Sequence, residues 1–393
     1  MMTNALRSAF LLSSSALLLA SCGAVANGEN SPDAAASSAD VENGKPFNVA
    51  EVGTYDEPWA AAFIPGTEII VVTEQGGRIV GNDIRNGRAL FFTGVPEVDY
   101  GGQGGLGDIA FLPSEAADTL TPRTIYLSWA EAGSGDTRGA VVGKGQIVCE
   151  EHQTCDIRGL QVIWRQPKVS GRGHYSHRIT VSPDEQYLYV ASGDRQKKDP
   201  AQDLSNNLGT IVRLTMDGKP AAGNPFAARS GASGDIWTYG HRNILGMQFD
   251  DQNRLWDLEH GPAGGDELNL VKQGQNYGWP IVSNGNDYNG ANIPDHSTRP
   301  EFAAPAISWT PVIAPGNFIF YRGDLFDAWK GDAIIAGLKS EAIVRVSING
   351  ETASETGRYA MDSRIRQIVE GPDGAIWVLE DGENARLLKL TPR

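Results

Sequence analysis

Basic residues, cysteine and long apolar runs are all scarce in this sequence. Lysine and arginine number 33 against 48 acidic residues, which gives a formal net charge of −15. Such a balance disfavours a broad nucleic-acid-binding surface. The apolar run at residues 9–20 is too short to cross a bilayer as a helix.

Glycine and proline, by contrast, are plentiful, at 47 and 21 residues. Their frequency argues against long helices and favours many short strands joined by turns. A length of 393 residues would permit two or three domains, but β-barrels and β-propellers often exceed the usual domain size.

The N-terminus has the pattern of an exported bacterial lipoprotein. Arg7 precedes the apolar run, and Leu-Ala-Ser-Cys at residues 19–22 resembles a lipobox. We predict a signal peptide at residues 1–21, lipidation of Cys22, and a flexible polar tether at residues 22–46. The protein would then be periplasmic or bound to the cell envelope, held to a membrane only by its anchor. The alternative is an ordinary signal peptide in which Cys22 is incidental.

The other two cysteines, Cys149 and Cys155, flank a short polar loop. In an oxidising compartment this spacing predicts a hairpin disulfide. A metal site that uses His152 is the alternative, but it lacks further ligands nearby.

One strand-like phrase recurs six times after residue 46. Each copy begins near a turn, continues as an apolar strand and ends on acidic or small polar residues. The copies are residues 68–74, 123–129, 183–194, 251–259, 332–339 and 372–381. Six such copies predict an all-β fold over residues 47–393, a six-bladed β-propeller of four-stranded antiparallel blades. A large sandwich or barrel is the alternative.

Several motifs in order resemble the soluble quinoprotein glucose dehydrogenase and aldose sugar dehydrogenase family, over about residues 47–393. They are residues 102–106, 174–178, 192–194, 201–204, 235–243, 259–262, 265–269, 276–280, 337–339 and 364–366. The resemblance implies oxidation of aldose sugars at C1 to lactones with pyrroloquinoline quinone (PQQ) and Ca²⁺, over a broad substrate range. It implies catalytic roles for His174 as general base, Asp194 as its acidic partner, and Arg178.

The same resemblance implies a set of cofactor and substrate contacts. Its cofactor-binding positions are Gln103, His174, Asn243, His260, Lys339, Arg364 and Arg366. Arg364 and Arg366 would share one face of a strand and grip the carboxylates of PQQ, although an Arg-x-Arg pair alone is more typical of a solvated face. Trp309 matches an aromatic residue near the sugar.

The resemblance also implies two calcium sites. The carbonyls of Gly261 and Pro262 match those that hold a catalytic Ca²⁺, and a structural Ca²⁺ would use the Glu267 carboxylate and the Tyr277 carbonyl. An exposed acidic turn is the other interpretation of residues 265–267.

Two departures from the family pattern stand out. His177 occupies a position where relatives tend to have glycine, and we expect it at the surface rather than in the pocket mouth. Ile244-Leu245-Gly246 replaces a more polar triplet, which puts the packing of the cofactor in doubt.

Two other functions remain open at this stage. One is a non-catalytic sugar- or protein-binding propeller, and the other is a calcium-dependent lactone hydrolase. As partners we expect aldose sugars and an electron acceptor, a quinone or a cytochrome, with no nucleic acid. The chain would be a monomer or a homodimer.

Overall fold

A computed structural model describes residues 44–149 and 154–393. The predicted signal peptide, Cys22, the tether up to residue 43 and His152 therefore lie outside the described residues. Within the described ranges, no helix is both long enough and apolar enough to span a lipid bilayer.

The described chain is almost entirely strands and loops, with four short 3₁₀ turns at Pro113–Glu115, Asp199–Gln202, His296–Thr298 and Asp327–Trp329. The strands, in chain order, are β1 Phe47–Tyr55, β2 Pro58–Phe63, β3 Ile69–Glu74, β4 Arg78–Asp83, β5 Arg88–Thr93, β6 Leu106–Phe111, β7 Arg123–Ala132, β8 Thr137–Cys149, β9 Thr154–Arg165, β10 Val169–Ser170, β11 Ser176–Val181, β12 Tyr187–Ser192, β13 Thr210–Thr215, β14 Ile236–Tyr239, β15 Ile244–Phe249, β16 Leu255–Glu259, β17 Ala263–Gly264, β18 Asp266–Leu270, β19 Gly285–Asn286, β20 Ile307–Trp309, β21 Pro315–Phe320, β22 Ala333–Gly337, β23 Ala342–Asn349, β24 Thr352–Ala360, β25 Ile365–Glu370, β26 Ile376–Glu380 and β27 Ala385–Pro392.

These strands form four-stranded antiparallel sheets, the arrangement of a β-propeller, so the all-β prediction is confirmed. Three sheets are consecutive in sequence: β11 to β14, then β15, β16, β18 and β20, then β21 to β24. A fourth has the order β1-β27-β26-β25, so the first strand closes the last sheet. The runs β2–β5 and β6–β9 join through a parallel pairing of β5 with β9 into one larger sheet. Because the two runs share a sheet, the count of six blades stays a prediction.

The six predicted repeats coincide with one structural position. They fall on β3, β7, β12, β16, β22 and β26, the second strand of each four-stranded run. These strands are buried along nearly their whole length. A strand that is covered on both faces carries a continuous apolar run, which explains why this strand gave the visible repeat.

The first strand of each run lines a common channel. Residues of β2, β6, β11, β15, β21 and β25 all contribute to one cavity of about 320 Å³, which we call the channel cavity. Each of these strands also has a register irregularity near its start, where it pairs with the second strand. Such bulges change the direction in which side chains point, and the six bulges surround a second cavity.

The structure joins Cys149 and Cys155 in a disulfide. The two residues lie directly opposite each other on β8 and β9.

Candidate active site

A second cavity, of about 180 Å³, lies at the beginning of the same inner strands, and we call it the central cavity. All six runs contribute to it. Its lining residues are Trp59, Gln75, Gly102, Gln103, Tyr175, Ser176, His177, Asn243, Leu245, His260, Leu338, Arg364 and Arg366. In a β-propeller the inner strands of all blades converge on the central axis, so residues that are far apart in sequence can line one cavity there.

His174 and Asp194 form a buried pair beside this cavity. His174 precedes β11 and is 7% exposed, while Asp194 follows β12 and is fully buried. The Nδ1 atom of His174 lies 2.6 Å from Oδ1 of Asp194. The backbone N–H of His174 donates to Oε1 of Gln103, which lines the cavity, at 2.6 Å.

Three further donors fix the Asp194 carboxylate. Its Oδ2 accepts the indole N–H of Trp279 at 2.8 Å, and its two oxygens accept the backbone N–H groups of Gln196 and Lys198 at 2.7 and 3.3 Å. Burial alone would raise the pKa of Asp194, but the hydrogen bond and charge of His174, with these donors, hold it below its ordinary value. Asp194 is therefore a carboxylate, and it accepts a hydrogen bond from the Nδ1–H group of His174.

The electrostatic surroundings keep His174 neutral. Burial lowers its pKa; Asp194 opposes this, while the positive charge of Arg242 adds to it, and the net pKa is below the ordinary value. With the ring proton held on Nδ1 by Asp194, Nε2 carries the free lone pair. A neutral imidazole in this tautomer is equipped to accept a proton at Nε2.

Two arginines form a basic wall of the central cavity. Arg364 and Arg366 donate through Nε to the two oxygens of Asp381, each at 2.8 Å. Arg364 is half exposed and Arg366 largely buried. Lys339 is exposed and directly follows Leu338, which lines the cavity. This wall of the cavity therefore carries two guanidinium groups bridged by one carboxylate, and Lys339 is not among the residues that line it.

His260 lies within electrostatic reach of both the histidine pair and the basic wall. Burial lowers its pKa to about 3, helped by the charges of Arg242, His174 and Arg366. Its Nε2 is 2.6 Å from the carbonyl of Pro315, so this neutral ring donates from Nε2.

Three buried polar atoms on the cavity wall have no hydrogen-bond partner among the described residues: Tyr175 Oη, His177 Nε2 and Asn243 Nδ2. Buried polar groups are nearly always paired in folded proteins. Three unpaired atoms on residues that line one cavity are the arrangement expected of a ligand site.

Two sequence predictions about β11 are wrong. His177 is 1% exposed and lines the cavity, so it is not a surface residue. Arg178 was expected to be catalytic, but it lines the channel cavity instead, with hydrogen bonds to Leu245 O, Asp108 Oδ1 and Gly316 O. The irregular register between Ser176 and Ile179 breaks the two-residue alternation, so neither side chain follows the simple strand pattern.

The predicted sugar contact at Trp309 is also wrong. Trp309 lies on β20, is 2% exposed and packs in the apolar core with Trp256 and Phe318. Its indole N–H donates to Glu355 at 2.8 Å. A side chain enclosed in this way presents no face to a sugar.

The residues expected to bind calcium surround a small cavity of about 10 Å³ that adjoins His260, which we call the acidic cavity. Gly261, Pro262, Glu267 and Tyr277 all line it, together with Glu259. In the described chain, the carbonyls of Gly261 and Pro262 accept no hydrogen bond. The carbonyl of Tyr277 lies 3.1 Å from Nε2 of His296.

Negative charge is concentrated around the acidic cavity. Burial, and then the charge of Glu259, raise the pKa of Glu267 well above its ordinary value. His241, Asp257 and Glu259 lie close together next to it, with His241 Nδ1 3.0 Å from Glu259 Oε1. Burial lowers the pKa of His241, but the charges of Asp257 and Glu259 outweigh burial and raise it.

Sequence reasoning missed two charged residues of the site. Asp381 joins Arg364 to Arg366, and its signal was the acidic end of the sixth repeat. Arg242 donates to His260 O and Tyr288 Oη, each at 3.1 Å, and its charge acts on His174. Arg242 lies within the motif at residues 235–243, but the resemblance to the family assigned it no function.

Comparisons with known proteins agree with this geometry. The profile of the Glucose / Sorbosone dehydrogenase family matches residues 55–389. Aldose sugar dehydrogenase YliI of Escherichia coli is 37% identical over 346 residues, which cover 86% of this chain and 91% of that protein. Quinoprotein glucose dehydrogenase B of Acinetobacter calcoaceticus is 24% identical over 409 residues, 83% of each chain.

Solved structures give the same answer. The apo soluble aldose sugar dehydrogenase of Escherichia coli superposes with a TM-score of 0.81 at 35% identity, covering 88% of this chain and 100% of that one. The PQQ-bound aldose sugar dehydrogenase of Streptomyces coelicolor gives 0.70 at 27% identity, covering 88% and 98%. The family predicted from the motifs is thus confirmed, and the chain belongs to the glucose/sorbosone dehydrogenase family.

Proposed function

We propose that this protein oxidises aldose sugars at C1 to lactones, with PQQ as cofactor and His174 as general base. The observation that carries the proposal is the central cavity itself. It joins a basic wall, three unpaired buried polar atoms and an adjoining neutral imidazole with a free Nε2. Relatives named as aldose sugar dehydrogenases, one of them solved with PQQ bound, support the same assignment.

The residues of the cavity fit a planar tricarboxylate. Arg364 and Arg366 offer guanidinium groups that match carboxylates, and Lys339, which follows the lining residue Leu338 in sequence, would supply a third cation. Tyr175 and Asn243 supply unpaired polar atoms along the wall. Leu245 supplies an apolar surface where the family pattern has a polar triplet, so the cofactor would gain packing there and lose a polar contact.

The chain's own part of the chemistry is to bind the sugar's C1 hydroxyl and remove its proton. Nε2 of His174 would take that proton, while Asp194 holds the ring in place and stabilises the imidazolium that forms. PQQ, when bound, supplies the acceptor for the hydride from C1. The positive charge of Arg242 disfavours protonation of His174 in the resting protein, which keeps the base available.

We propose Ca²⁺ as the second cofactor. The carbonyls of Gly261 and Pro262 are oxygen ligands of the kind that Ca²⁺ prefers, and they line the acidic cavity together with His260, which also lines the central cavity. Glu267, with the Tyr277 carbonyl, would hold a structural ion. A divalent cation there would relieve the repulsion between the buried carboxylates of Glu267 and Glu259.

The broader expectations follow from this function. We propose that the β2–β5 and β6–β9 runs act as separate blades, giving six in all. We also propose anchoring at Cys22 in the cell envelope, with electrons passing to a quinone or cytochrome. Replacing Cys22 by serine should then release the protein from the membrane fraction, and unchanged partition would refute the anchor.

The competing functions make different demands. A calcium-dependent lactone hydrolase would need carboxylate ligands around a metal in the central cavity, and none of the described residues lining that cavity is Asp or Glu. A non-catalytic binding propeller would have no use for the His174–Asp194 pair.

The experiment is reconstitution of the purified apoprotein with PQQ and CaCl₂, followed by dye reduction with glucose and a panel of other aldoses. We expect turnover that requires both additions and several sugars accepted. A folded protein that binds PQQ without oxidising any aldose would refute the function. Hydrolysis of lactones without PQQ would establish the hydrolase instead.

A further inference from the structure

His177 is the most enclosed polar side chain on the wall of the central cavity that lacks a role in the proposed reaction. It is 1% exposed and lines the cavity. Its Nδ1 is 2.9 Å from Oγ of Ser128, and its Nε2 has no hydrogen-bond partner among the described residues.

The hydrogen bonds around Ser128 determine where the ring proton lies. Oγ of Ser128 accepts the backbone N–H of Asp108 at 2.8 Å, so the hydroxyl still has its own proton to donate. Among the described residues, Nδ1 of His177 is the only acceptor within hydrogen-bonding distance of that hydroxyl. Burial, with the charges of Arg178 and Arg195, lowers the pKa of His177 to about 3, so the ring is neutral. The ring proton therefore lies on Nε2, and His177 presents an unpaired N–H donor to the cavity.

The packing fixes this donor in position. The imidazole lies against Trp59 with ring centres 4.7 Å apart, and the edge contact with Tyr175 spans 6.1 Å. Gly107 makes room for the ring, since a Cβ there would lie 2.0 Å from Cε1 of His177. A rigid, buried and unpaired donor is costly to maintain unless a ligand uses it.

We propose that the Nε2–H of His177 donates a hydrogen bond to an acceptor atom of the bound quinone cofactor, an inference that rests on the function proposed above. The location favours the cofactor over the sugar. His177 is 1% exposed, and its Nε2 lies on an enclosed part of the cavity wall, out of contact with solvent. A resident cofactor occupies the enclosed part of a cavity, and a sugar that arrives from solvent meets the open part.

Two variants separate the donor from the ring. His177→Phe keeps an aromatic ring against Trp59 but removes Nε2–H, whereas His177→Gln keeps an N–H donor but removes the ring. The measurement is the affinity of each apoprotein for PQQ in calcium buffer, by calorimetry and by quenching of tryptophan fluorescence. The unfolding temperature of each apoprotein checks the fold.

We expect His177→Phe to weaken PQQ binding by about 5- to 20-fold, His177→Gln to retain more affinity than His177→Phe, and the KM for glucose to change little. Affinity that is unchanged in His177→Phe, or lower in His177→Gln than in His177→Phe, would overturn the hydrogen bond. A raised KM with unchanged PQQ affinity would assign His177 to the sugar and also overturn it. If the unaltered apoprotein binds no PQQ, the proposed function itself fails, which this design reports separately.

Discussion

The central cavity and the channel cavity are built on the same six inner strands, yet they treat their polar groups differently. The channel cavity is larger, about 320 against 180 Å³. Its buried charge is internally satisfied, because Arg178 pairs with Asp108 and with two carbonyls. Among the described residues, one buried polar atom on its wall, Oε1 of Gln367, lacks a hydrogen-bond partner, compared with three in the central cavity.

The difference teaches that volume is a poor guide to function in this protein. In a structural polar core the buried donors and acceptors form hydrogen bonds with one another, whereas in a ligand site some of them have no partner within the protein. The central cavity also has two arginines on its wall and, beside it, a histidine whose Nδ1 is held by a carboxylate. On this criterion we propose the smaller cavity as the active site.

The largest effect that would sharpen the comparison is expected at His174. His174→Ala should lower kcat by about 10²- to 10⁴-fold, because the C1 proton loses its acceptor. Steady-state kinetics with saturating PQQ and Ca²⁺ test this, with PQQ affinity as the control for an intact cavity. An activity within a few fold of the unaltered enzyme would remove His174 from the mechanism.

Asp194→Asn should lower kcat by about a hundredfold, because the carboxylate that orients and stabilises the histidine is lost. The pH profile gives a second readout. Activity should fall as pH decreases through the pKa of His174, which lies below the ordinary histidine value. Asp194 raises that pKa, so its loss should move the acid limb to lower pH. A limb that moves to higher pH would contradict the assignment.

Matched arginine variants compare the two cavities directly. Arg366→Leu should weaken PQQ binding by about 10- to 100-fold, because a charge-assisted hydrogen bond is lost. Arg178→Leu should instead destabilise the fold by about 3–5 kcal/mol, since it leaves the buried Asp108 carboxylate without its partner. PQQ titration and denaturant unfolding of both variants provide the test. If Arg178→Leu left the free energy of unfolding unchanged but weakened PQQ binding, the distinction between the two cavities would be wrong.

The smallest effect is expected at the acidic cavity. Saturating Ca²⁺ should stabilise the unaltered apoprotein by about 2–3 kcal/mol at a hundredfold excess over Kd. Glu267→Gln should lose most of that gain, while Glu301→Gln, at an exposed residue, should keep it. Thermal unfolding with and without a chelator measures the gain. An equal gain in Glu267→Gln would place the ion elsewhere.

The sequence predicted much of the fold for a clear physical reason. The second strand of each run is covered on both faces, so its apolar run shows directly in the sequence, as at Ile69–Glu74 and Ile376–Glu380. Polar residues at strand ends could be assigned to the site from their position in the repeats. Arg364 and Arg366 do line the central cavity, and Asp194 does pair with His174.

Side-chain direction could not be predicted in the same way. His177 and Arg178 are neighbours on a bulged strand, and the bulge, formed only by pairing with β12, sends them to different cavities. Trp309 matched an aromatic motif position, but its burial depends on packing with Trp256 on β16 and on a hydrogen bond to Glu355 on β24, both distant in sequence. The clamp of Asp381 on both arginines likewise exists only in the folded sheet.

Titration of the apoprotein with PQQ in calcium buffer tests the central claim most directly, with Arg364→Leu/Arg366→Leu titrated alongside. We expect saturable binding of one PQQ per chain, together with quenching of tryptophan fluorescence, and a large loss of affinity in the double variant. Binding that is absent, or that is equally tight without the two arginines, would contradict it.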